Sequence, residues 1–132
     1  MLKLKALEED DVKIISSLVQ DSILPIGDFT FLKPAKQAMF AINRYCHEDK
    51  ATKNRCNSLL TVNNVTNMQI KNIDLTDRKQ NLCFLDISVN FDTDEIIFLF
   101  SDNKMIKMDV SKIEITLTDV SEKWSVYDTP RH

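Results

Sequence analysis

Two of the three cysteines and one of the two histidines lie close together in the sequence, and these residue types are well suited to chemistry. Cys46 directly precedes His47, and Cys56 follows ten residues after Cys46. A cysteine nucleophile needs a neighbouring base, which is often a histidine. Neighbouring residues of a β-strand point to opposite faces of the sheet, so the side chains of Cys46 and His47 should not meet. A catalytic dyad is therefore a minor alternative to a packed cysteine beside a surface histidine.

The same residues do not have the spacing of a metal site. Zinc modules carry their ligands in closely spaced pairs, which Cys46, His47 and Cys56 do not form. The chain has a single glycine, Gly27, which excludes the glycine-rich loops that hold the phosphates of nucleotides. The sequence therefore implies no metal, no cofactor and no catalytic residue.

Cationic residues are concentrated in one segment. Residues 33–55 carry six cationic and two acidic side chains, a net charge of +4, whereas the whole chain carries −3. Such a segment can bind an acidic protein, an anionic ligand or RNA, although an ordinary solvated face has the same composition. Arg44 is equally well explained as a structural anchor that pairs with Asp21 or Asp28. The candidate binding residues are Lys33, Lys36, Arg44, Tyr45, Lys50, Lys53 and Arg55.

The composition predicts an ordinary cytoplasmic domain. The chain has 132 residues, of which 43% are hydrophobic and 28% are charged, enough for one domain with its own core. The longest uncharged apolar run, residues 96–100, is far shorter than the roughly 20 residues of a membrane-spanning helix. Three cysteines without framework spacing are typical of a reducing compartment. We therefore expect no membrane partner, and the negative net charge argues against DNA.

The first element that must position these residues is a helix. Val12, Ile15 and Val19 recur at spacings of three and four, with Ile14 and Leu18 beside them in one apolar stripe, which is typical of an amphipathic helix. Four acidic residues, 8–11, precede this stripe and would stabilise the positive end of the helix. That role explains them without a metal-binding or partner-binding cluster, which remains the alternative. The helix is expected to end at Pro25.

After the helix the apolar residues alternate with polar ones, which predicts β-strands. A strand with Phe29 and Phe31 forms a hairpin with a second strand. One face of the second strand carries Ala38, Phe40 and Ile42, and its other face carries Met39, Ala41, Asn43 and Tyr45. A third strand spans residues 56–62. Its alternation places these residues on one face: Cys56, Ser58, Leu60 and Val62.

The second half of the chain has the most regular alternation. Cys83, Leu85 and Ile87 share one face of a long strand, which makes Cys83 a small core residue. Asp102-Asn103 suits a two-residue type I′ turn, which would set Leu99 opposite Ile106. That register predicts one apolar face made of Ile97, Leu99, Ile106, Met108 and Val110.

The predicted fold is α+β and mostly antiparallel β, with one N-terminal helix on a twisted sheet of about seven strands. Because long open edges favour aggregation, this sheet is expected to curl into a small barrel or half-barrel. A pleckstrin-homology-like barrel is one candidate, although no C-terminal helix is predicted, and an ordinary helix-covered sheet is the alternative. Residues 1–132 are one domain. A similarity at an offset of 48 residues indicates two repeat halves, 28–73 and 81–120, and the tail, 125–132, is expected to be flexible.

The chain resembles a known family nearly from end to end. The resemblance is carried by Leu2-Lys3-Leu4, Leu18-Val19-Gln20-Asp21, Gly27-Asp28, Asn43-Arg44-Tyr45, Ile113-Glu114, Trp124, Pro130 and His132. In this order they are similar to the small alphaproteobacterial proteins grouped as domain of unknown function 2948. The resemblance implies no activity, cofactor or catalytic residue. Cys46-His47 stands where the family pattern has an aromatic residue and an acid, which argues against an active site there.

Without a nucleophile or acid–base constellation, the sequence favours a small, non-catalytic, cytoplasmic interaction or adaptor protein that binds a protein through its basic face. A small-molecule-binding protein, or an enzyme with a site near the basic hairpin, is the alternative. RNA binding through the basic face is a weaker one. The oligomeric state is left open.

Overall fold

A computed structural model describes residues 2–49 and 53–125 of the chain. They form one α-helix, α1 (Glu9–Val19), a short 3₁₀ helix (Ile26–Asp28) and eleven strands. The strands are β1 (Lys3–Ala6), β2 (Ile23–Pro25), β3 (Phe29–Leu32), β4 (Gln37–Tyr45), β5 (Asn54–Val62), β6 (Val65–Lys71), β7 (Asn81–Asn90), β8 (Glu95–Phe100), β9 (Lys104–Val110), β10 (Ile115–Asp119) and β11 (Trp124–Ser125). In the described part of the chain, no helix is long and apolar enough to cross a membrane. Residues 126–132 of the tail that is expected to be flexible lie outside the described residues.

The strands form one open antiparallel sheet. Its order is β1-β10-β5-β4-β2-β7-β8-β9-β6, while β3 also pairs with β4 and β11 with β5. The predicted α+β class with a mostly antiparallel sheet is confirmed. The count of about seven strands is wrong, because β1, β2 and β11 have only two to four residues and such short strands show little alternation. A closed barrel, including the pleckstrin-homology-like one, is also wrong, because the end strands β1 and β6 do not pair with each other.

Helix α1 packs most of its predicted apolar stripe on the sheet, but Ile14 of that stripe is exposed. Val12, Ile15 and Val19 are buried, and the hydroxyl of Ser16 accepts the backbone N–H of Ile87 at 2.9 Å, which ties the helix to β7. The helix ends at Val19, well before Pro25. Asp21 then takes a left-handed conformation with φ 66°, and this turn redirects the chain into β2.

The β8–β9 hairpin differs from its predicted register by one residue. Its loop has three residues, and Asp102 and Asn103 both have positive φ. Phe100 therefore pairs with Lys104, and Leu99 pairs with Met105. The buried face of β8 is Ile96, Phe98 and Phe100 rather than Ile97 and Leu99, because a shift of one residue turns every side chain to the other face.

A β-bulge in β7 breaks the predicted single apolar face. The register shifts between Phe84 and Asp86, so the chain buries Leu82 and Phe84 before the bulge and Ile87 after it. Cys83 is only partly buried and is not part of the core cluster. Its predicted place in the core is therefore wrong, because period-2 counting does not reveal an inserted residue.

The two predicted repeat halves exchange strands. The offset of 48 residues sets β5 against β9 and β6 against β10 in the sequence. In the sheet, β6 pairs with β9 and β10 pairs with β5. The connections meet where the N–H of Asn63 donates to the carbonyl of Glu114 at 3.1 Å and that of Ser111 donates to the carbonyl of Asn64 at 3.0 Å. The repeat itself stays a prediction. In the sheet, the last strand of each half pairs with a strand of the other half.

Phe40 lies at the centre of the core. Its ring centroid is 4.9 Å from that of Phe29, 5.7 Å from that of Phe84 and 4.9 Å from that of Phe98. These tilted and edge-on contacts join β3, β4, β7 and β8, which are distant in sequence. The contacts of this ring therefore pack β3 and β4 against β7 and β8 in one hydrophobic core.

We predict that Phe40→Ala lowers the free energy of unfolding by about 3–5 kcal/mol, because it leaves a large cavity among packed rings. Urea denaturation monitored by circular dichroism measures this change. Leu32→Ala is the control, since Leu32 is 41% exposed and its loss should cost far less. Equal losses in the two variants would contradict the central role of Phe40.

Candidate functional site

Arg44 is charged, yet it is fully buried at the end of β4. Its Nη1 and Nη2 donate to the Glu48 carboxylate at 2.9 and 2.8 Å. Its Nε and Nη2 donate to Asp119 at 3.2 and 3.0 Å. The hydroxyl of Ser58 also donates to Asp119, at 2.6 Å. These four residues form what we call the Arg44 clamp, which gives the buried guanidinium the partners that burial requires.

The clamp residues keep their charges at neutral pH. Hydrogen bonds from Arg44 lower the pKa of Glu48 to about 2. Burial alone would raise the pKa of Asp119, but hydrogen bonds from Arg44 and Ser58 outweigh it and lower the pKa. Burial opposes the charge of Arg44 as well, yet the two carboxylates raise its pKa. The three charged residues of the clamp therefore stay ionised at neutral pH, which suits a structural anchor. Arg44 pairs with Glu48 and Asp119 rather than with the expected Asp21 or Asp28.

Cys46 and Cys56 lie beside the clamp, and the environment of Cys46 does not favour reactivity. Sγ of Cys46 is 3.7 Å from Sγ of Cys56, and both residues are buried. Burial raises the pKa of the Cys46 thiol to about 12, which disfavours the reactive thiolate. His47 does not face Cys46, because its ring lies against Tyr45. Within residues 2–49 and 53–125, no group of three or more His, Cys, Asp and Glu side chains could hold a metal ion.

The outward face of β4 and β5 carries a second group of polar and aromatic residues. The ring centroids of Tyr45 and His47 are 4.8 Å apart, and the guanidinium of Arg55 lies 5.5 Å from the centroid of Tyr45. Arg55 Nη1 also donates to the side-chain oxygen of Asn43 at 2.9 Å. We call Asn43, Tyr45, His47 and Arg55 the outer cluster. It brings together two of the sequence-predicted binding residues, Tyr45 and Arg55.

A surface groove of about 500 Å³ adjoins the outer cluster. On its floor Asn43 is paired with Asn57 and Ala41 with Leu59, so carboxamides and apolar side chains alternate. Val120, which is 58% exposed, lies at its margin. We call this cavity the outer groove; it is lined by Pro25, Asp28, Ala41, Ile42, Asn43, Asn57, Ser58, Leu59 and Val120.

The predicted basic residues do not form one surface. Lys33 and Lys36 lie at the β3–β4 turn, whereas Lys53 and Arg55 lie at the other end of the nine-residue strand β4. A strand of that length spans roughly 30 Å, so the two pairs are far apart. Lys50 lies outside the described residues. Of these residues, Arg55 is the one that contacts the lining of the outer groove, because its Nη1 donates to Asn43. Arg78 lies near the opposite part of the lining, where its Nη2 donates to the carbonyl of Gly27 at 3.0 Å, and the lining itself contains the acidic residue Asp28.

Sequence reasoning missed the residues that complete the clamp and the groove. Ser58 in β5 and Asp119 in β10 face the core, where their strands otherwise place mostly apolar side chains. A polar residue at a core position implies a buried partner, so this break in the alternation was a usable sign. Asn57 and Val120 offered none, because outward positions accept many residue types.

The fold and the clamp define a small open-sheet α+β protein stabilised by a buried ion network. The chain belongs to a family of proteins of unknown function (DUF2948), whose model matches residues 2–132; the resemblance seen in the sequence is thereby confirmed. No curated protein matches the chain. A crystal structure of an uncharacterized protein from Neisseria gonorrhoeae is similar over 87% of this chain and 97% of its own, with 10% sequence identity and a TM-score of 0.40.

We predict that Asp119→Ala lowers the free energy of unfolding by about 3–5 kcal/mol, because it leaves the buried Arg44 without one of its two carboxylates. Chemical denaturation measures the loss. Glu122→Ala, an exposed acidic position three residues away, should change stability by less than about 0.5 kcal/mol. Similar effects of the two substitutions would show that the clamp does not anchor the fold.

The lowered pKa of Glu48 predicts an acid-dependent loss of stability. A carboxylate whose pKa falls from 4.5 to about 2 on folding contributes fully above pH 4.5, and the contribution disappears as the pH falls toward 2. Glu48→Gln should therefore be less stable than the wild type at neutral pH, with a difference that shrinks through this window. Urea denaturation of both proteins across the window measures the difference, and a constant difference would contradict the prediction.

Proposed function

We propose that this protein is a small, non-catalytic, cytoplasmic interaction protein that binds an extended segment of a partner polypeptide in the outer groove. The observation that carries the proposal is the cross-strand pair Asn43–Asn57 on the groove floor. Each carboxamide offers both donors and acceptors, which matches the backbone of an extended peptide. The apolar residues Leu59 and Val120 offer contact surface for its side chains.

The charge beside the groove favours a particular kind of segment. Arg55 contacts the groove floor through Asn43, and the exposed Lys53 directly precedes β5. The lining also contains Asp28, so a carboxylate of the bound segment would have to lie toward Arg55 and away from Asp28. A segment with apolar residues over Leu59 and Val120, followed by a carboxylate near Arg55, would match both surfaces. This is the acidic protein partner that the basic segment of the sequence predicts.

Chemical features of the neighbouring residues support a non-catalytic role. The Cys46 thiol has a raised pKa, and the clamp ions are committed to one another. The ring of His47 bonds to the backbone carbonyl of Gln20 at 2.7 Å through Nε2. Free thiols at Cys46, Cys56 and Cys83 are typical of the reducing cytoplasm.

A small-molecule ligand is the second candidate, and the size of the groove is what favours it. A cavity of about 500 Å³ falls within the range of small-molecule sites, roughly 300–1,000 Å³. Such sites, however, enclose most of the ligand, whereas this groove runs along an open sheet face. RNA binding through the basic face remains the weaker alternative.

The proposal is tested with a photo-crosslinking amino acid in place of Leu59, introduced in the native cell. Peptides of the crosslinked protein are then synthesised, and their affinity for the purified chain is measured by calorimetry. We expect a peptide with apolar and acidic residues to bind. A crosslinked product that ribonuclease digests, or one that contains only a small molecule, would overturn the peptide proposal.

We predict that Val120→Glu weakens binding of that peptide at least about tenfold, because it places a charge on an apolar contact. Ile14→Glu is the matched control, since Ile14 is 52% exposed on α1 and lies outside the groove. Calorimetric titration with both variants measures the difference. Equal affinities would remove the outer groove as the binding site.

A further inference from the structure

Strand β6 leaves one long side of the sheet unpaired. It pairs with β9 and, in the described part of the chain, with no other strand. The other free edges are short or covered. β1 and β3 have four residues each, and β1 carries two exposed lysines, Lys3 and Lys5. The part of β7 that extends beyond its pairing with β2 is bonded to α1 through Ser16. β6 has seven residues, of which only Lys71 is charged. Because unpaired N–H and C=O groups are a template for another strand, β6 is the edge least protected against pairing.

The direction in which each residue of β9 and β6 forms its backbone hydrogen bonds shows which backbone groups of β6 have no strand partner. The N–H of Val110 donates to the carbonyl of Asp94 at 3.0 Å, so the even-numbered residues of β9 bond toward β8. The odd-numbered residues then bond toward β6, since the bonding direction alternates along an antiparallel strand. They lie opposite Asn67, Gln69 and Lys71. Met68 and Ile70 therefore direct their N–H and C=O groups to the free edge.

The free stretch has defined limits and a defined centre. At its start, the N–H of Val65 donates to the carbonyl of Lys36 at 2.8 Å, and a bulge lies between Val65 and Asn67. At its end, Asn72 turns the chain with φ 60°. The regular stretch is therefore 67–71, and its midpoint is Gln69.

We propose that β6 pairs antiparallel with β6 of a second copy of this chain, around a two-fold axis at Gln69. In this register the free groups of Met68 exchange hydrogen bonds with those of Ile70 in the other copy. Asn67 lies opposite Lys71, and the two Gln69 side chains face each other. No two like charges are opposed, which antiparallel pairs require.

The side chains of β6 also fit a second copy of the chain at this edge. Met68 and Ile70 face the core but are only partly buried, because the sheet ends at β6. In the proposed register Met68 of each copy lies beside Ile70 of the other, so both cores are extended. A register shifted by one residue would oppose Met68 to outward-facing side chains and misalign the free hydrogen-bonding groups. A shift of two residues would keep both the hydrogen-bonding direction and the face, but it would leave only three residues of the stretch 67–71 opposed to one another. The axis at Gln69 is therefore the one that pairs the whole regular stretch.

Disulfide crosslinking tests the axis directly. Gln69 of each copy would form a non-hydrogen-bonded pair with a Cα–Cα distance of about 4.5 Å, within the range of roughly 4.4–6.8 Å for a disulfide. In a Cys83→Ser background, Gln69→Cys should form covalent dimers rapidly with oxidised glutathione. Ser88→Cys, an exposed control on β7, should not. Equal crosslinking of the two variants, or none at Gln69→Cys, would overturn the proposal.

Sedimentation equilibrium tests the same pairing without crosslinks. The wild type should show concentration-dependent dimers between micromolar and millimolar protein. Gln69→Lys and Gln69→Glu should each dimerise at least about tenfold more weakly, because each opposes like charges across the axis. An equimolar mixture of the two should regain dimers. A wild type that stays monomeric, or single variants that dimerise as the wild type does, would overturn the proposal. Because the outer groove lies on β4 and β5, these results do not depend on the proposed peptide binding.

Discussion

The buried charge of Arg44 constrains the whole β4–β5–β10 part of the sheet. Leaving a guanidinium unpaired in a core costs several kcal/mol, so the fold must deliver two carboxylates to one point. Asp119 arrives from β10 and Glu48 from the turn after β4. Asp119 also accepts the N–H of Leu2 at 3.2 Å, which joins β1 to the same point. A single charged side chain thus holds together segments from both ends of the described chain.

The clamp also affects which side chains lie on the outward face of β4 and β5. Because strand side chains alternate, inward positions at Arg44 and Ser58 place Asn43 and Asn57 outward. The bonds of the clamp keep β4, β5 and β10 in register, and this register sets the floor of the outer groove beside Val120. Anchoring on one face and the proposed recognition on the other therefore both follow from the alternation of the strands.

The candidate site could be predicted only in part from the sequence. Tyr45 and Arg55 were selected by charge and residue type, and they do lie together. Arg44 was selected for the same reason, but its guanidinium is buried among carboxylates. The difference arises because sequence composition does not report which face of a strand a residue occupies relative to the core. Lys33 and Lys36 illustrate the same limit, since they are near in sequence to Arg44 but lie at the far end of β4.

The helix, the antiparallel class, most of the strands and the family can be predicted from the residues alone, because these depend on local periodicity and on residue order. The register of β8, the bulge in β7 and the exchange of β6 and β10 between the halves depend on contacts between distant parts of the sheet. A one-residue difference in a turn or a bulge changes no residue type, yet it turns a whole strand face over. Likewise, Arg44 donates a hydrogen bond to Asp119, which is 75 positions away in the sequence. Only the packing of the complete sheet brings those two charges to one place.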